Sequence, residues 1–455
     1  MTTLAPHPPI AEPLARGNPR DLRAMMNDGA AFSVMVGLGE TYFPVFALAA
    51  GYGAAVAGWL TTLPLLAGGL LQLVTPYAVA RLDSFRRWVV ACALIQGLSF
   101  LPLVLAGLQG RVSLLLLFTC ATLYWAFGLA AGPAWNTWVE TLIPPPQRPG
   151  FFARRARWCQ IALLLTVLAG GFSLELDGAG DHGLTVFAVL FGLAAAARGV
   201  SALCLGLQSE SREQAVAFQP RPAWAAWRAL RGSDAERLLL YLLAIQVAVN
   251  LASPFFTPYM LGTLTLSYAE YTLLTSVAFG ARVAVLPFLG QLAHSRGNRS
   301  VLWLGAVGIV PLPALWLLSD SLAFLLLLQI LAGIAWACLE LSTLLSFFEI
   351  LDPDDRPSVL SAYNLGHAVA MSAGALAGGW LLQTLGPQPA TYAALFLVST
   401  LGRGLSLLLL RHVSVTEAPL DASSLRTLAV RPSLGAVQRP ILAALPDDAP
   451  IDKTH

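Results

Sequence analysis

The segment Phe191-Gly-Leu-Ala-Ala-Ala-Ala-Arg198-Gly-Val-Ser201 recurs 205 positions later as Phe396-Leu-Val-Ser-Thr-Leu-Gly-Arg403-Gly-Leu-Ser406. Phe, Arg, Gly and Ser keep the same register in both copies, and each copy lies in a long apolar stretch. Weaker echoes follow in matching order, such as Gly128 and Gly333, which share the offset of 205. This order predicts a six-helix unit that is used twice, with a shared site between the two copies.

The composition is that of a membrane protein. Apolar residues make up 56% of the 455 residues and charged residues only 11%, whereas a soluble protein carries about 25% charge. A helix needs about 20 apolar residues to cross roughly 30 Å of hydrocarbon, and backbone polar groups in lipid must be satisfied within their own segment. We therefore predict an all-α integral membrane protein with twelve transmembrane helices, at 25–49, 53–80, 88–108, 112–143, 151–176, 183–208, 236–263, 267–293, 300–318, 321–350, 359–385 and 389–411.

The distribution of arginines predicts the orientation. Basic residues crowd the loops after spans 2, 4, 6 and 8, whereas the opposite loops hold only Arg111. The positive-inside rule then places both termini in the cytoplasm. The predicted parts are a cytoplasmic N-terminal tail (1–24), a first six-helix half (25–208), a cytoplasmic central linker (209–235), a second half (236–411) and a disordered C-terminal tail (412–455).

Several function classes are excluded by the sequence. It has no phosphate-cradling glycine loop with a Walker-type lysine and no nucleophile triad, so we expect neither an ATP-driven pump nor an enzyme. The net charge is only +2, and the arginines follow topology, so we expect no nucleic-acid partner. We also expect no cofactor and no metal, because the five cysteines lie inside spans without metal-ligand spacing: Cys92, Cys120, Cys159, Cys204 and Cys338.

Twelve spans, a doubled six-helix unit and a basic central loop resemble the major facilitator superfamily. That family's loop signature, Gly-x-Leu-Ala-Asp-Arg-x-Gly-Arg-Arg/Lys, follows span 2 and is often echoed after span 8. The loop Gly290-Gln-Leu-Ala-His294-Ser295-Arg-Gly-Asn-Arg299 matches it except at the acidic residue and the arginines before the last. The tract Gly37-Leu-Gly-Glu-Thr-Tyr-Phe-Pro44 is similar to span 1 of bacterial members. The resemblance implies residence in the bacterial cytoplasmic (inner) membrane as a multi-pass protein.

Three charged residues lie near the middle of predicted spans: Glu40, Arg282 and Glu340. A charge there costs about 2.5–3.5 kcal/mol on insertion scales, so such residues are functional by default. In the resemblance, spans 1, 4, 7 and 10 line a central cavity and spans 2, 5, 8 and 11 flank it, so the three can face one space. We expect a glutamate within about 4–6 Å of Arg282, and a carboxylate that couples proton movement to transport. The alternative is a fixed buried ion pair that holds the halves together.

Other polar and aromatic residues inside spans are further candidates for the cavity wall. Trp135 and Asn136 offer a ring face and an amide, Gln246 and Asn250 share one helix face, and so do Asn364 and His367. Helix–helix hydrogen bonding is the alternative for the amides, and packing is the alternative for the histidine. With Glu40, Arg282 and Glu340, the predicted cavity residues are Tyr42, Trp135, Asn136, Gln246, Asn250, Asn364 and His367.

Two carboxylates at the cytoplasmic ends of spans 4 and 10, Glu140 and Glu349, are gating candidates. In the resemblance such residues latch an inner gate with arginines of the loops after spans 2 and 8. The alternative is ordinary surface salt bridges, each worth less than about 1 kcal/mol. The arginines concerned are Arg81, Arg86, Arg87, Arg296 and Arg299.

The sequence thus predicts a secondary transporter that works by alternating access, is proton-coupled and moves a small organic solute, with export favoured. Its partners would be that solute, protons and the lipid bilayer, and we expect a monomer. The alternative is a membrane sensor or assembly protein of the same fold without transport activity.

Overall fold

The computed structural model describes residues 18–143, 148–177, 184–210, 228, 230–350 and 356–413. Within these ranges every element is helical, and twelve helical spans are long and apolar enough to cross a membrane. This confirms the predicted fold class. The helical bounds are Pro19–Leu38, Glu40–Tyr42 and Phe43–Ala49 for span 1; Ala54–Gln72 and Thr75–Leu82 for span 2; Phe85–Leu98 and Leu101–Leu108 for span 3; Leu114–Leu142 for span 4; Arg148–Asp177 for span 5; Thr185–Gly206 for span 6; Asp234–Ala252, Ser253–Phe255, Phe256–Pro258 and Tyr259–Thr263 for span 7; Tyr268–Arg296 for span 8; Asn298–Gly308 and Leu312–Leu315 for span 9; Leu322–Ile350 for span 10; Arg356–Leu385 for span 11; and Pro389–Leu410 for span 12.

The first helix begins six residues before the predicted start of span 1, at Pro19 rather than residue 25. The side chain of Asn18 accepts a hydrogen bond from the backbone N–H of Arg20 at 3.1 Å and caps the helix, and proline is favoured at the first helical position. Polar residues in this first turn concealed it in a hydropathy pattern. Residues 19–24 therefore belong to span 1, whereas 1–17, most of the predicted linker and 414–455 lie outside the described residues.

Spans 1 and 7 are interrupted at matching places. A single 3₁₀ turn covers Glu40–Tyr42 in span 1 and Ser253–Phe255 in span 7, 213 positions apart. Proline follows shortly after both turns, at Pro44 and Pro258, and its missing N–H weakens the helical ladder. Each 3₁₀ turn ends in an aromatic residue, Tyr42 in span 1 and Phe255 in span 7.

The aromatic core of each half confirms the repeat. In the first half Phe46 meets Phe191 with ring centroids 5.1 Å apart at 83°. In the second half Tyr259 meets Phe396 at 5.0 Å and 81°. The pairs Phe46–Phe187 and Tyr259–Tyr392 correspond in the same way, at 5.4 and 5.0 Å. The doubled sequence segment is therefore a doubled packing unit.

The halves meet along two seams, where span 2 packs on span 11 and span 5 packs on span 8. Because the spans alternate in direction, Pro19 and Leu410 lie at one end of the bundle, which we call the near end. The opposite end, where Ala49 and Leu385 lie, is called the far end. The predicted orientation would make the near end cytoplasmic.

Candidate functional site

An open cleft lies between the halves, from mid-bundle toward the near end. Span 2 contributes Gln72, span 4 contributes Leu129, and span 11 contributes Asn364 and His367. The last two are predicted cavity residues, and the structure places both on one wall. Gln72 is new, because the sequence analysis did not single it out within predicted span 2. The remaining lining is apolar, formed by Leu65, Gly69, Ala368 and Met371.

The predicted partner of Arg282 is Glu340. Nη1 of Arg282 lies 3.1 and 3.2 Å from the two carboxylate oxygens of Glu340. The pair joins the middle of span 8 to span 10, and the side chains remain 20% and 23% exposed. A charged pair open to hydrocarbon would be costly, so this opening is best accounted for by water in the space between the halves.

Glu40 lies apart from that pair. It is 9% exposed at the start of the 3₁₀ turn in span 1, and the hydroxyl of Tyr124 donates to Oε2 at 2.6 Å. The ring of Tyr124 packs edge-on against Phe43 and Phe100. The structure therefore places Glu40 within the core of the first half, whereas the sequence predicted one space shared by Glu40, Arg282 and Glu340.

Three other predicted cavity residues are buried in helix packing. Tyr42 donates from its hydroxyl to the carbonyl of Val167 at 2.6 Å. Asn250 donates to Oε1 of Gln246 at 3.1 Å and to its carbonyl at 2.9 Å. All three side chains are essentially inaccessible. In this conformation all three side chains are held inside the helix bundle, and the bond between Asn250 and Gln246 lies within span 7 rather than between two helices.

Trp135 faces an arginine rather than open space. The guanidinium of Arg155 lies 4.7 Å from the centre of the Trp135 ring. Arg155 also lies 3.3 Å from Oδ2 of Asp28, while Oδ1 of Asp28 accepts a 2.6 Å hydrogen bond from Ser201. Ser201 in turn accepts from Nη1 of Arg198 at 2.6 Å. The result is a buried polar network across spans 1, 5 and 6.

Sequence reasoning missed this network. Asp28 stands three residues inside the predicted start of span 1, and the sequence analysis did not single it out. Arg198 and Arg403 do not extend to the membrane surface. They are only 4% and 2% exposed, because each guanidinium turns into its own half. The side chain of Asn136 lies outside the described residues.

The gating candidates are only partly visible. The side chains of Glu140 and Glu349 lie outside the described residues. Arg86 pairs with Glu210, which follows span 6 in the same half: the backbone N–H donates to Oε1 at 3.0 Å, and Nε lies 4.0 Å from Oε2. Among the other arginines, Arg299 is half-buried, and the exposed ones are Arg81, Arg87 and Arg296.

A family model described as the Major Facilitator Superfamily matches residues 238–445. That match falls on the second half, and the first half repeats the same packing. Over the second half the chain is similar to the major facilitator superfamily. A comparison with curated proteins found no match.

Solved structures of superfamily-like transporters share the fold over most of the chain. The nucleoside transporter NupG has a TM-score of 0.60 and 14% identity, over 86% of this chain and 97% of that one. An auto-inhibited peptide transporter of the POT family has a TM-score of 0.68 and 11% identity, over 89% and 99%. A bacterial homologue of the human lysosomal transporter Spinster, inward-facing and occupied, has a TM-score of 0.61 and 13% identity, over 86% and 96%. At these identities the likeness shows the fold alone.

The structure holds no grouping of three or more His, Cys, Asp or Glu among the described residues that could bind a metal ion. The candidate functional features of the described residues are the cleft, the Arg282–Glu340 pair and the polar network around Asp28.

Proposed function

We propose that this chain is a proton-coupled secondary transporter of the major facilitator type that exports a small amphipathic solute through the cleft between its halves. The observation that carries the proposal is the cleft itself, which lies between the halves from mid-bundle toward the near end, whereas direct contacts join the halves toward the far end. A site between two repeats with one end closed is what alternating access requires. The far-end contacts are direct, as in the 2.9 Å hydrogen bond from Trp59 Nε1 to the carbonyl of Ala375.

The lining of the cleft supports an amphipathic solute. Its apolar residues offer area for an apolar body, and a small number of polar groups can fix the orientation of a polar tip. Gln72 and Asn364 supply amides that donate and accept, and His367 supplies an imidazole. The lining contains no Asp, Glu, Lys or Arg side chain among the described residues. A solute of modest charge with one hydrogen-bonding group suits such a wall.

We assign proton coupling to Glu340. Its carboxylate is held by Arg282 and is open enough to exchange a proton, unlike the nearly buried Glu40. A proton on Glu340 removes the negative charge that Arg282 faces and so weakens the link between spans 8 and 10. Proton uptake would thereby change the relative energies of two conformations, which is the requirement for coupling.

The substrate test uses purified protein and a thermal-shift panel of amphipathic amines, nucleosides and short peptides. Nucleosides and peptides are included because two of the structural neighbours are a nucleoside transporter and a peptide transporter. Compounds that stabilise the protein are then added to liposomes that contain the protein and a trapped pH dye. We expect a stabilising compound to drive proton movement with the wild type and not with Glu340→Gln. Asn364→Ala should weaken the thermal shift. Solute flux without proton movement would contradict coupling, and stabilisation without any flux would favour the sensor alternative.

We also propose that the near end faces the cytoplasm of a bacterium, with the chain in the inner membrane. Gln388 is exposed at the far end and Ser295 at the near end. A cysteine at position 388 should react with an impermeant thiol reagent in intact cells, and one at position 295 only after the membrane is opened. The reverse pattern would overturn the orientation.

A further inference from the structure

Two contacts that cross between the halves at the far end are copies of one another. In the first, Trp59 of span 2 lies against Gly379 of span 11. In the second, Thr272 of span 8 lies against Gly171 of span 5. Trp59 and Thr272 are 213 positions apart, which is the offset of the two 3₁₀ turns, and Gly171 and Gly379 are 208 apart, three more than the offset of the Phe191 and Phe396 segments.

We propose that these two contacts form a gate at the far end of the protein, here called the far gate. Each glycine provides the space, here called a socket, that the opposing side chain occupies when the gate is closed. The inference rests on the proposed alternating access and names the residues that would regulate it.

The Trp59 contact is the larger of the two. A Cβ on Gly379 would overlap Nε1, Cε2 and Cζ2 of the indole, which is a rigid ring rather than a flexible side-chain tip. The same Nε1 donates to the carbonyl of Ala375 at 2.9 Å, one helical turn before Gly379. Glycine is needed here because a side chain of one half occupies the space of a Cβ in the other, as at other close helix contacts in membranes.

The Thr272 contact has the same form with a smaller side chain. A Cβ on Gly171 would overlap the Oγ1, Cβ and Cγ2 atoms of Thr272, which is almost fully buried. Close by, the carboxylate of Glu175 accepts a 3.1 Å hydrogen bond from the backbone N–H of Ala269. This second seam therefore also joins span 5 to span 8 by a direct polar contact at the far end.

The glycine that precedes each socket receives an aromatic residue from a helix interruption. Tyr42, at the end of the 3₁₀ turn in span 1, occupies the Cβ space of Gly170. Phe255, at the end of the matching turn in span 7, lies against Gly378. Phe255 also fills the Cβ space of Gly58, next to Trp59 across the interface. The interruptions in spans 1 and 7 thus aim their aromatics at the two glycine pairs.

The two contacts affect the equilibrium between the conformations with a closed and an open far end. The contacts of Trp59 with Gly379 and of Thr272 with Gly171 exist only while the far ends of the halves touch. A methyl group on either glycine raises the energy of the closed far end and leaves the separated halves untouched. The population must then shift toward the state with an open far end.

The test measures the distance between spin labels at positions 53 and 383, at the far ends of spans 2 and 11, in full-length protein whose five native cysteines are replaced by alanine. Both positions are exposed. We expect Gly379→Ala to raise the ratio of long to short distances roughly tenfold, in line with the usual cost of overpacking. Gly171→Ala should act in the same direction with a smaller change, because a threonine side chain yields more easily than an indole.

The matched control is Gly280→Ala in span 8, where a Cβ would meet no atom within 4 Å. It should leave the distances unchanged. In a Trp59→Ala background, Gly379→Ala should have no further effect, since the overlapping group is gone. Trp59→Phe supplies a milder variant should Gly379→Ala fold poorly, and it too should favour the open far end through loss of the bond to Ala375.

Distances with Gly379→Ala that match the Gly280→Ala control would overturn the inference, and so would an undiminished effect in the Trp59→Ala background. The labels report the conformational equilibrium whether or not any solute moves. Failure of the gate assignment is therefore distinguishable from failure of the proposed transport function.

Discussion

The two halves share an aromatic frame but not their buried charges. At one position of the repeat, Arg198 donates to Ser201, which donates to Asp28, and Asp28 also pairs with Arg155. At the equivalent position in the second half, Arg403 donates to the carbonyl of Ile309 at 2.8 Å. No carboxylate pairs with Arg403 among the described residues. An arginine stands at this position in both halves, but only Arg198 is linked to a carboxylate, through Ser201 to Asp28.

The helix interruptions show the same divergence. Glu40 begins the 3₁₀ turn in span 1, and Ser253 occupies the matching place in span 7. Conversely, the second half carries the Arg282–Glu340 pair between spans 8 and 10. Packing residues constrain both halves equally, because both must close on the same kind of core. Charges are free to differ, so the residues that differ are the best candidates for specialised roles.

The largest expected effect tests the network of the first half. Asp28→Asn should lower the free energy of unfolding by about 3–5 kcal/mol, because it leaves the buried guanidinium of Arg155 without its counter-charge. Chemical denaturation in detergent micelles, followed by tryptophan fluorescence, measures this loss. Arg403→Met is the counterpart in the second half and should cost about 1 kcal/mol, since one hydrogen bond to a carbonyl is lost. Equal losses of unfolding free energy would contradict the view that the two buried arginines are stabilised differently.

The next effect concerns the partner of Glu40. Tyr124→Phe removes a 2.6 Å hydrogen bond to a nearly buried carboxylate, so we expect a loss of about 1.5–3 kcal/mol in unfolding free energy. Glu40→Gln keeps an acceptor for the same hydroxyl and should cost less. In the pH-dye liposomes, Glu40→Gln should retain proton movement. Loss of proton movement in a folded Glu40→Gln protein would show that the proton carrier is Glu40, in the first half.

The Arg282–Glu340 pair should matter more for function than for stability. Glu340→Gln should lower the unfolding free energy by only about 1 kcal/mol, because water reaches both side chains and weakens the pair. Proton movement in the liposomes should nevertheless stop. Glu340→Asp, which keeps a carboxylate on a shorter stem, should restore part of it. A large stability loss together with intact proton movement would instead identify a fixed structural pair.

The sequence predicted features that rest on local patterns or on a large energetic penalty. The twelve spans follow from apolar length. The pairing of Arg282 with a glutamate follows from the cost of an isolated charge in lipid. The Asp28 network escaped prediction because its partners Arg155 and Ser201 lie 127 and 173 positions away. Contacts over such separations depend on how the helices pack, which no local pattern contains.

The placement of the cavity residues shows the same limit. Gln246 and Asn250 were predicted to share a helix face, and they do, but both side chains are buried and hydrogen-bonded to each other instead of lining the cleft. Asn364 and His367 have the same kind of spacing and do line the cleft. Helical spacing predicts which residues stand together, whereas only the packing of neighbouring spans decides whether their face meets a helix or open space.

The smallest expected effect concerns Arg86, a predicted gating residue. Its side chain is 41% exposed and its partner Glu210 belongs to the same half, so the contact fixes the end of span 6 to the start of span 3 and does not join the halves. Arg86→Ala should cost less than about 1 kcal/mol and should not change the distance between spin labels at positions 157 and 295, near the near ends of spans 5 and 8. Removing Glu140 and Glu349 together, as glutamines, should lengthen that distance if those residues latch the near end. A longer distance with Arg86→Ala alone would show that Arg86 stabilises contact between the halves, as predicted for a gating residue.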